Sequence, residues 1–173
     1  GLNQAFAWNP AYREYFAVKA TPNPYLLEIL KAQGCGVDCA SLTELMLARA
    51  VGFQGEQIMF SSNETPAEEF RLARELGAIV NLDDITHIDF LRENGGIPRR
   101  ICLRYNPGGD VTIANRVMGR PGEAKFGMTR EQIFESVKRL SALGAREFGL
   151  HAFLVSNTTD PAYYPSMARM LME

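Results

Sequence analysis

Seven polar residues fall at the carboxyl ends of short apolar runs: Lys19, Asp38, Ser61, Ser62, Arg104, Asn106 and Ser156. Proteins of the α/β class place ligands at such strand ends. Lys19 is the most telling of them. It closes the run Tyr15-Phe16-Ala17-Val18-Lys19-Ala20, and Thr21-Pro22-Asn23-Pro24 follows at once. The aromatic and β-branched residues favour a strand, while the prolines end it and open a helix. At the end of a buried strand an amine loses hydration, and its neutral form becomes a usable nucleophile. From position alone, a lysine snorkelling to solvent is the competing reading. Asp38 interrupts Gly36-Val37-Asp38-Cys39-Ala40, a run expected to be buried, so its carboxylate needs a partner. A lysine at the adjacent strand end supplies one, and a Lys–Asp couple suits an amine that forms imines. For the other residues a cap or turn role competes with a chemical one.

The elements that must position these residues follow from the alternation of short apolar runs with longer amphipathic stretches, the pattern of repeated βα units and a parallel sheet. Strands are expected over 14–20, 36–40, 57–61, 78–82, 100–105 and 148–154, and helices over 23–33, 41–51, 66–76, 84–94, 129–143 and 161–172. A further short helix is expected near 2–8. Ser41 with Glu44, Thr65 with Glu68 and Thr129 with Gln132 have the spacing of capping boxes. Gly34, Gly52, Gly77, Gly95 and Gly144 stand where helices end. One long connection, Asn106 to Met128, is rich in Gly and Pro and belongs to a class that is usually functional or mobile. Six right-handed βα units make either an open doubly wound sheet or three quarters of an eight-stranded barrel. The lack of an early Gly-x-Gly-x-x-Gly loop counts against a dinucleotide fold.

Composition narrows the function classes. The chain has 173 residues, 46% of them hydrophobic and 22% charged, as in an ordinary soluble globular domain. A net charge of −2 argues against a nucleic-acid or membrane-surface partner, and no apolar stretch reaches the length of a membrane span. Three cysteines point to reduced thiols and a cytoplasmic location. Cys35 and Cys39 lack the histidine and cysteine partners of a zinc site, so no metal is expected.

Four segments occur together in a telling order. They are Phe16-Ala17-Val18-Lys19-Ala20, then Gly36-Val37-Asp38-Cys39-Ala40-Ser41 with Glu44-Leu45, then Lys125-Phe126-Gly127, and Phe148-Gly149-Leu150-His151. In this order and spacing the chain resembles the fold-type III pyridoxal-phosphate decarboxylases over about Ala11 to Asn157. Within that family it looks most like the diaminopimelate decarboxylases, with ornithine decarboxylases more distant. The resemblance implies a TIM-type (β/α)8 barrel of the alanine racemase-like fold, with pyridoxal 5'-phosphate as cofactor. It implies that Lys19 is the catalytic lysine, forming the internal aldimine. The reaction implied for the parent enzyme is decarboxylation of meso-diaminopimelate to L-lysine and carbon dioxide, a step of lysine biosynthesis. Ornithine, arginine or a related amino acid is the alternative substrate, and a non-catalytic cofactor-binding or regulatory homologue is the alternative of a different class. An amino-acid racemase fits less well, because Thr21-Pro22-Asn23-Pro24 follows Lys19 here.

By the same resemblance Asp38, Arg104, Phe153 and Ser156 contact the cofactor, Asp38 as a partner of Lys19 and Arg104 as a balance to the acidic residues. Glu44 matches an acidic position of the family, with a helix-cap role at least as apt. Relatives carry His-Ile-Gly-Ser on the sixth strand, where this chain has Phe153-Leu154-Val155-Ser156. Phe153 is then expected to replace the imidazole that stacks on the pyridine ring, and Ser156 to keep the phosphate contact. His151, two residues earlier and on the same strand face, is the competing stacking group. The family's phosphate loops, the acid facing the pyridine nitrogen and a C-terminal β-domain would follow the sixth strand. Residues 1–173 therefore read as a partial barrel domain of about six βα units, inactive alone. Its uncovered edges favour association, and a homodimer with shared active sites is expected of the full-length protein.

Overall fold

The structure is a computed structural model that describes residues 1–108, 126–155 and 158–173. A short helix, α1 (Leu2–Ala5), precedes β1 (Tyr15–Ala17). Strands and helices then alternate: α2 (Pro24–Ala32), β2 (Gly36–Cys39), α3 (Leu42–Val51), β3 (Ile58–Phe60), α4 (Ala67–Glu75), β4 (Ile79–Leu82) and α5 (His87–Asn94). After these come β5 (Arg100–Arg104), α6 (Arg130–Ala142), β6 (Glu147–His151) and α7 (Tyr163–Met172).

The strand order is β1-β2-β3-β4-β5-β6. Every described register is parallel, among them Ala17↔Asp38, Cys39↔Phe60, Phe60↔Val80 and Arg104↔His151. A doubly wound sheet reverses its strand order at a switch point, and this order has none. Sequential winding is that of a (β/α)8 barrel, with β1 and β6 at the two ends of the order.

The chain divides into two compact units, Gly1–Val80 with Phe90–Pro98, and Asn81–Asp89 with Arg99–Glu173. In the first, Leu27, Val37, Leu45, Ile58 and Phe60 are buried, and the Phe70 ring meets Phe60 edge-on at 6.3 Å. In the second, Leu82, Ile101, Leu103, Met128 and Leu140 form the core.

Local chemistry sets the helix boundaries. Asn23 accepts from Tyr25 N at 3.0 Å with Pro24 at the first helical position, so α2 starts there. Ser41 Oγ accepts from Glu44 N (3.4 Å), and Glu44 Oε2 accepts from Ala40 N (2.9 Å), which fixes the turn from β2 into α3. Thr129 and Gln132 cap α6 reciprocally, at 3.3 and 2.9 Å. Gly52 ends α3 in the left-handed region (φ 84°), and Lys31 Nζ donates to the carbonyls of Val51 and Gly52 at 3.0 and 2.7 Å.

Three expectations are corrected. The box expected at Thr65 and Glu68 does not form: Pro66 is the N-cap of α4 without a side-chain cap. Glu69 acts instead across helices, accepting from Leu42 N at 2.9 Å and from Ser62 Oγ at 3.4 Å. The first strand stops at Ala17, and Val18–Ala20 form a 3₁₀ turn closed by Thr21 N donating to Val18 O at 3.1 Å. Pro22 and Pro24 lack the N–H groups that a longer ladder would need. The sixth strand stops at His151 rather than 154. The ladder closes there with Tyr105 N donating to His151 O at 2.8 Å, and the next N–H, that of Asn106, turns to Met128 O at 2.9 Å.

Candidate active site

In the first unit the carboxyl ends of β1, β2 and β3 carry Lys19, Asp38 and Ser61. Asp38 is placed by register, facing Ala17 on one side and Met59 on the other. Burial raises its carboxyl to about 6; the Ser61 hydroxyl and the Lys19 ammonium pull it back, and the Glu44 carboxylate adds to the rise. Asp38 Oδ1 and Ser61 Oγ are buried without a partner in hydrogen-bond geometry. Lys19 itself is exposed on the 3₁₀ turn, so the loss of hydration expected from a buried strand end does not occur. The pairing of Lys19 with Asp38 is electrostatic, and the burial falls on the acid. Glu44 is taken up by the cap of α3, and Ser62 by Glu69. An accessible amine beside a half-buried carboxyl that titrates near neutrality can add to a carbonyl and exchange protons as it does so.

In the second unit the carboxyl end of β5 presents Arg104, 8% exposed, to Asp83, 4% exposed, at 2.8 Å. Burial pushes the Asp83 carboxyl up, and Arg104 opposes it. The guanidinium lies 5.4 Å from the centre of the Phe126 ring and 5.8 Å from that of Phe153, and Nη2 donates to Phe153 O at 3.4 Å. Gly127 (φ 89°) permits this approach, since a Cβ there would stand 3.0 Å from Asn106 Cβ and 3.4 Å from Arg104 Cγ. Asn106 holds the same turn, donating to Phe126 O at 3.0 Å and accepting from Gly108 N at 2.9 Å. At the end of β6 the His151 ring meets Asn81 Nδ2 at 3.4 Å. Burial lowers the His151 imidazole to about 4, and the Arg104 charge adds to the fall.

Phe153 therefore does not share a strand face with His151. It lies beyond β6, 42% exposed, with its ring over Arg104. Ser156 and Lys125 lie outside the described residues. Sequence reasoning missed Asp83 and Asn81. Their signal is the one that exposed Asp38, polar residues breaking an apolar strand end, in Val80-Asn81-Leu82-Asp83. Among the described residues no group of three or more His, Cys, Asp or Glu could hold a metal ion. No described helix is long and apolar enough to cross a membrane.

Similarity to known proteins bears on this geometry. The family model of the pyridoxal-dependent decarboxylase pyridoxal-binding domain matches residues 2–172. Protein TabA of Pseudomonas amygdali pv. tabaci is 38% identical over 154 residues, which is 89% of this chain and 36% of its own length. The diaminopimelate decarboxylase of Thermoplasma acidophilum is 31% identical over 155 residues, 89% of this chain and 38% of its own length. The chain thus spans just over a third of the length of these curated relatives. Among solved structures, diaminopimelate decarboxylase from M. jannaschii superposes with a TM-score of 0.85 at 24% identity, covering 98% of this chain and 42% of that one. The arginine decarboxylase of Paramecium bursaria Chlorella virus superposes at 0.79 with 19% identity, over 98% of this chain and 45% of that one, and both likenesses speak to the fold. With the sequential parallel sheet and a family match over nearly its whole length, the chain belongs to the pyridoxal-dependent decarboxylases and corresponds to their pyridoxal-binding domain.

Proposed function

We propose that this chain bonds pyridoxal 5'-phosphate through Lys19 and serves an enzyme that decarboxylates meso-diaminopimelate to L-lysine and carbon dioxide. The observation that carries the reading is the accessible Lys19 amine beside two buried, unpartnered polar atoms, Asp38 Oδ1 and Ser61 Oγ. The donor set fits the cofactor. A primary amine condenses with an aldehyde, and orphaned buried polar atoms at a strand end mark a place where a ligand completes the hydrogen bonding. When bound, pyridoxal phosphate supplies the electron sink for the charge left by a departing carboxylate.

The chain's own residues have separable tasks in this proposal. Lys19 Nζ would hold the cofactor through its aldehyde carbon, the carbonyl oxygen leaving as water. Asp38, poised near 6, takes up and returns the proton that Nζ exchanges. Ser61 Oγ, buried and without a hydrogen-bond partner, is left to meet the ligand. Arg104, held by Asp83, supplies a fixed positive charge. Arg104, Phe153 and Ser156 keep their proposed cofactor contacts on the strength of the family resemblance. For Phe153 the proposed contact is now with a ring that also covers Arg104. We further propose that residues 1–173 form a partial (β/α)8 barrel domain, that the full-length protein works as a cytoplasmic homodimer with shared active sites, and that its partner is a small amino acid.

A second substrate reading has its own support. TabA, at 38% identity, is not named as a diaminopimelate decarboxylase, and an L-glutamyl-[BtrI acyl-carrier protein] decarboxylase of Niallia circulans is 29% identical over 84% of this chain. Decarboxylation of a different amino acid, free or carrier-bound, is that alternative.

One experiment tests both parts. The full-length protein is mixed with pyridoxal phosphate, reduced with borohydride and peptide-mapped, and carbon dioxide release is measured over meso-diaminopimelate, ornithine, arginine, lysine and glutamate. Modification at Lys19 and release from meso-diaminopimelate are expected. Modification at another lysine overturns the site, and release only from another member of the panel overturns the substrate.

A further inference from the structure

We infer that Asn81 is a positioning residue that fixes His151 as the neutral imidazole with its proton on Nε2. The two side chains come from the ends of β4 and β6, and Asn81 Nδ2 lies 3.4 Å from His151 Nδ1. Asn81 is 4% exposed, so its amide cannot look to solvent for another partner. Its Oδ1 is buried with no hydrogen-bond partner.

The orientation of the amide follows from what each choice leaves unpaired. With Nδ2 toward the ring, one buried carbonyl oxygen is orphaned. With the amide turned over, Oδ1 would accept from an Nδ1–H, and an NH2 carrying two donors would be orphaned instead. Orphaned buried donors are rarer and costlier than an under-satisfied carbonyl. The amide therefore donates, Nδ1 accepts, and the single ring proton of a neutral imidazole sits on Nε2.

The surroundings keep that ring neutral. The charged group bearing on His151 is Arg104, one strand over, and Arg104 is itself held by Asp83 at 2.8 Å. A second cation beside a buried guanidinium is unfavourable, and Asn81 brings no negative charge to offset it. The backbone fixes the ring's origin as well, since Tyr105 N donates to His151 O at 2.8 Å. His151 thus offers a ligand an uncharged donor at Nε2. It does not act as a cationic acid, and Arg104 is left as the cation of this cluster. Use of that donor by a decarboxylase rests on the function proposed above; the tautomer does not.

The test needs no cofactor, so the tautomer and the proposed function can fail separately. The chain contains two histidines, His87 and His151, and His87→Gln assigns the remaining signals. Long-range nitrogen–proton correlation spectra of histidine-labelled protein between pH 5 and 8 report which ring nitrogen carries the proton. The expected native result is a pyrrole-type Nε2 and a pyridine-type Nδ1 for His151 throughout. Asn81→Leu removes the donor and should convert the fixed tautomer into a mixture while the ring stays neutral. Asn81→Asp puts a carboxylate in the same place and should protonate Nδ1, giving imidazolium at pH 6. A native Nδ1–H tautomer, or imidazolium in the native protein at pH 6, overturns the inference whether or not either variant folds. An unchanged Nε2–H tautomer in folded Asn81→Leu removes Asn81 from the role.

Discussion

Replacing Asp38 by Asn should flatten the stability of the protein against pH. The carboxyl has an ordinary value of 3.8 and stands at about 6 in the folded chain, raised first by burial. Folding therefore tightens its hold on the proton by about 3 kcal/mol, at 1.36 kcal/mol for each tenfold change. The sign follows from the direction of the change. A carboxyl raised on folding contributes stability that is fully present below 3.8, and that contribution is lost as pH climbs through about 6. From pH 4 to pH 8 the native protein should lose about 2–2.5 kcal/mol from this group alone. Asn carries the same shape without the charge and has nothing to lose over that range. Urea unfolding at several pH values between 4 and 8 reads the effect directly, with the native midpoint falling and the Asp38→Asn midpoint holding steadier. In a domain of this size the difference at pH 8 corresponds to about 6–12 °C in Tm. Parallel curves for the two proteins across this range would refute the argument, since they would mean that Asp38 remains solvated. The same variant should reduce borohydride trapping at Lys19 near neutral pH, because the amine loses its proton partner.

Three further outcomes are expected. Asp83→Asn leaves the Arg104 cation buried without its partner and should cost about 3–5 kcal/mol in denaturant unfolding, whereas Asp83→Leu with Arg104→Met should recover much of that loss. Ser41→Ala removes the acceptor for Glu44 N at the start of α3 and should cost about 1 kcal/mol, read as a lowered unfolding midpoint. Gly149→Ala should destabilise by about 1–3 kcal/mol, because its Cβ would meet Cys102 Sγ; adding Cys102→Ala should restore the native Tm, and failure to do so would place the strain elsewhere.

The six strands and the helices between them were legible because both patterns are periodic and punctuated by caps, as at Ser41 and Thr129. The choice between a doubly wound sheet and a barrel was not legible from periodicity, since strand order is a long-range property that no local pattern encodes. The family resemblance leaned to the barrel, and the order β1 through β6 agrees. Boundaries erred at the carboxyl ends of β1 and β6. Apolar residues continue past Ala17 and past His151, but the ladder does not. Asp83 went unread because an arginine looks unpaired in a sequence until the fold brings up its carboxylate. Glu69 went unread because its acceptors serve a helix 27 residues away.

The exposure of Lys19 changes how its chemistry must be argued. A buried amine can be made nucleophilic by withholding water, and that route requires the lysine itself to be desolvated. Here the desolvation falls on Asp38, whose carboxyl is raised to about 6 while the amine stays reachable. The division has a chemical use. An aldehyde arriving from solution needs an accessible Nζ, and the proton that Nζ must release needs an acceptor that is neither a strong acid nor fully hydrated. A carboxyl near 6 meets the second requirement at neutral pH, and an ordinary surface aspartate does not. If Asp38 is the residue that makes the lysine useful, then moving its charge by one position should be as damaging as removing it. Asp38→Asn combined with Met59→Asp, which shifts the carboxylate to the neighbouring strand at the same register, should fail to restore trapping at Lys19. Restoration would show that any nearby negative charge suffices, and that the burial of Asp38 has no part in the chemistry.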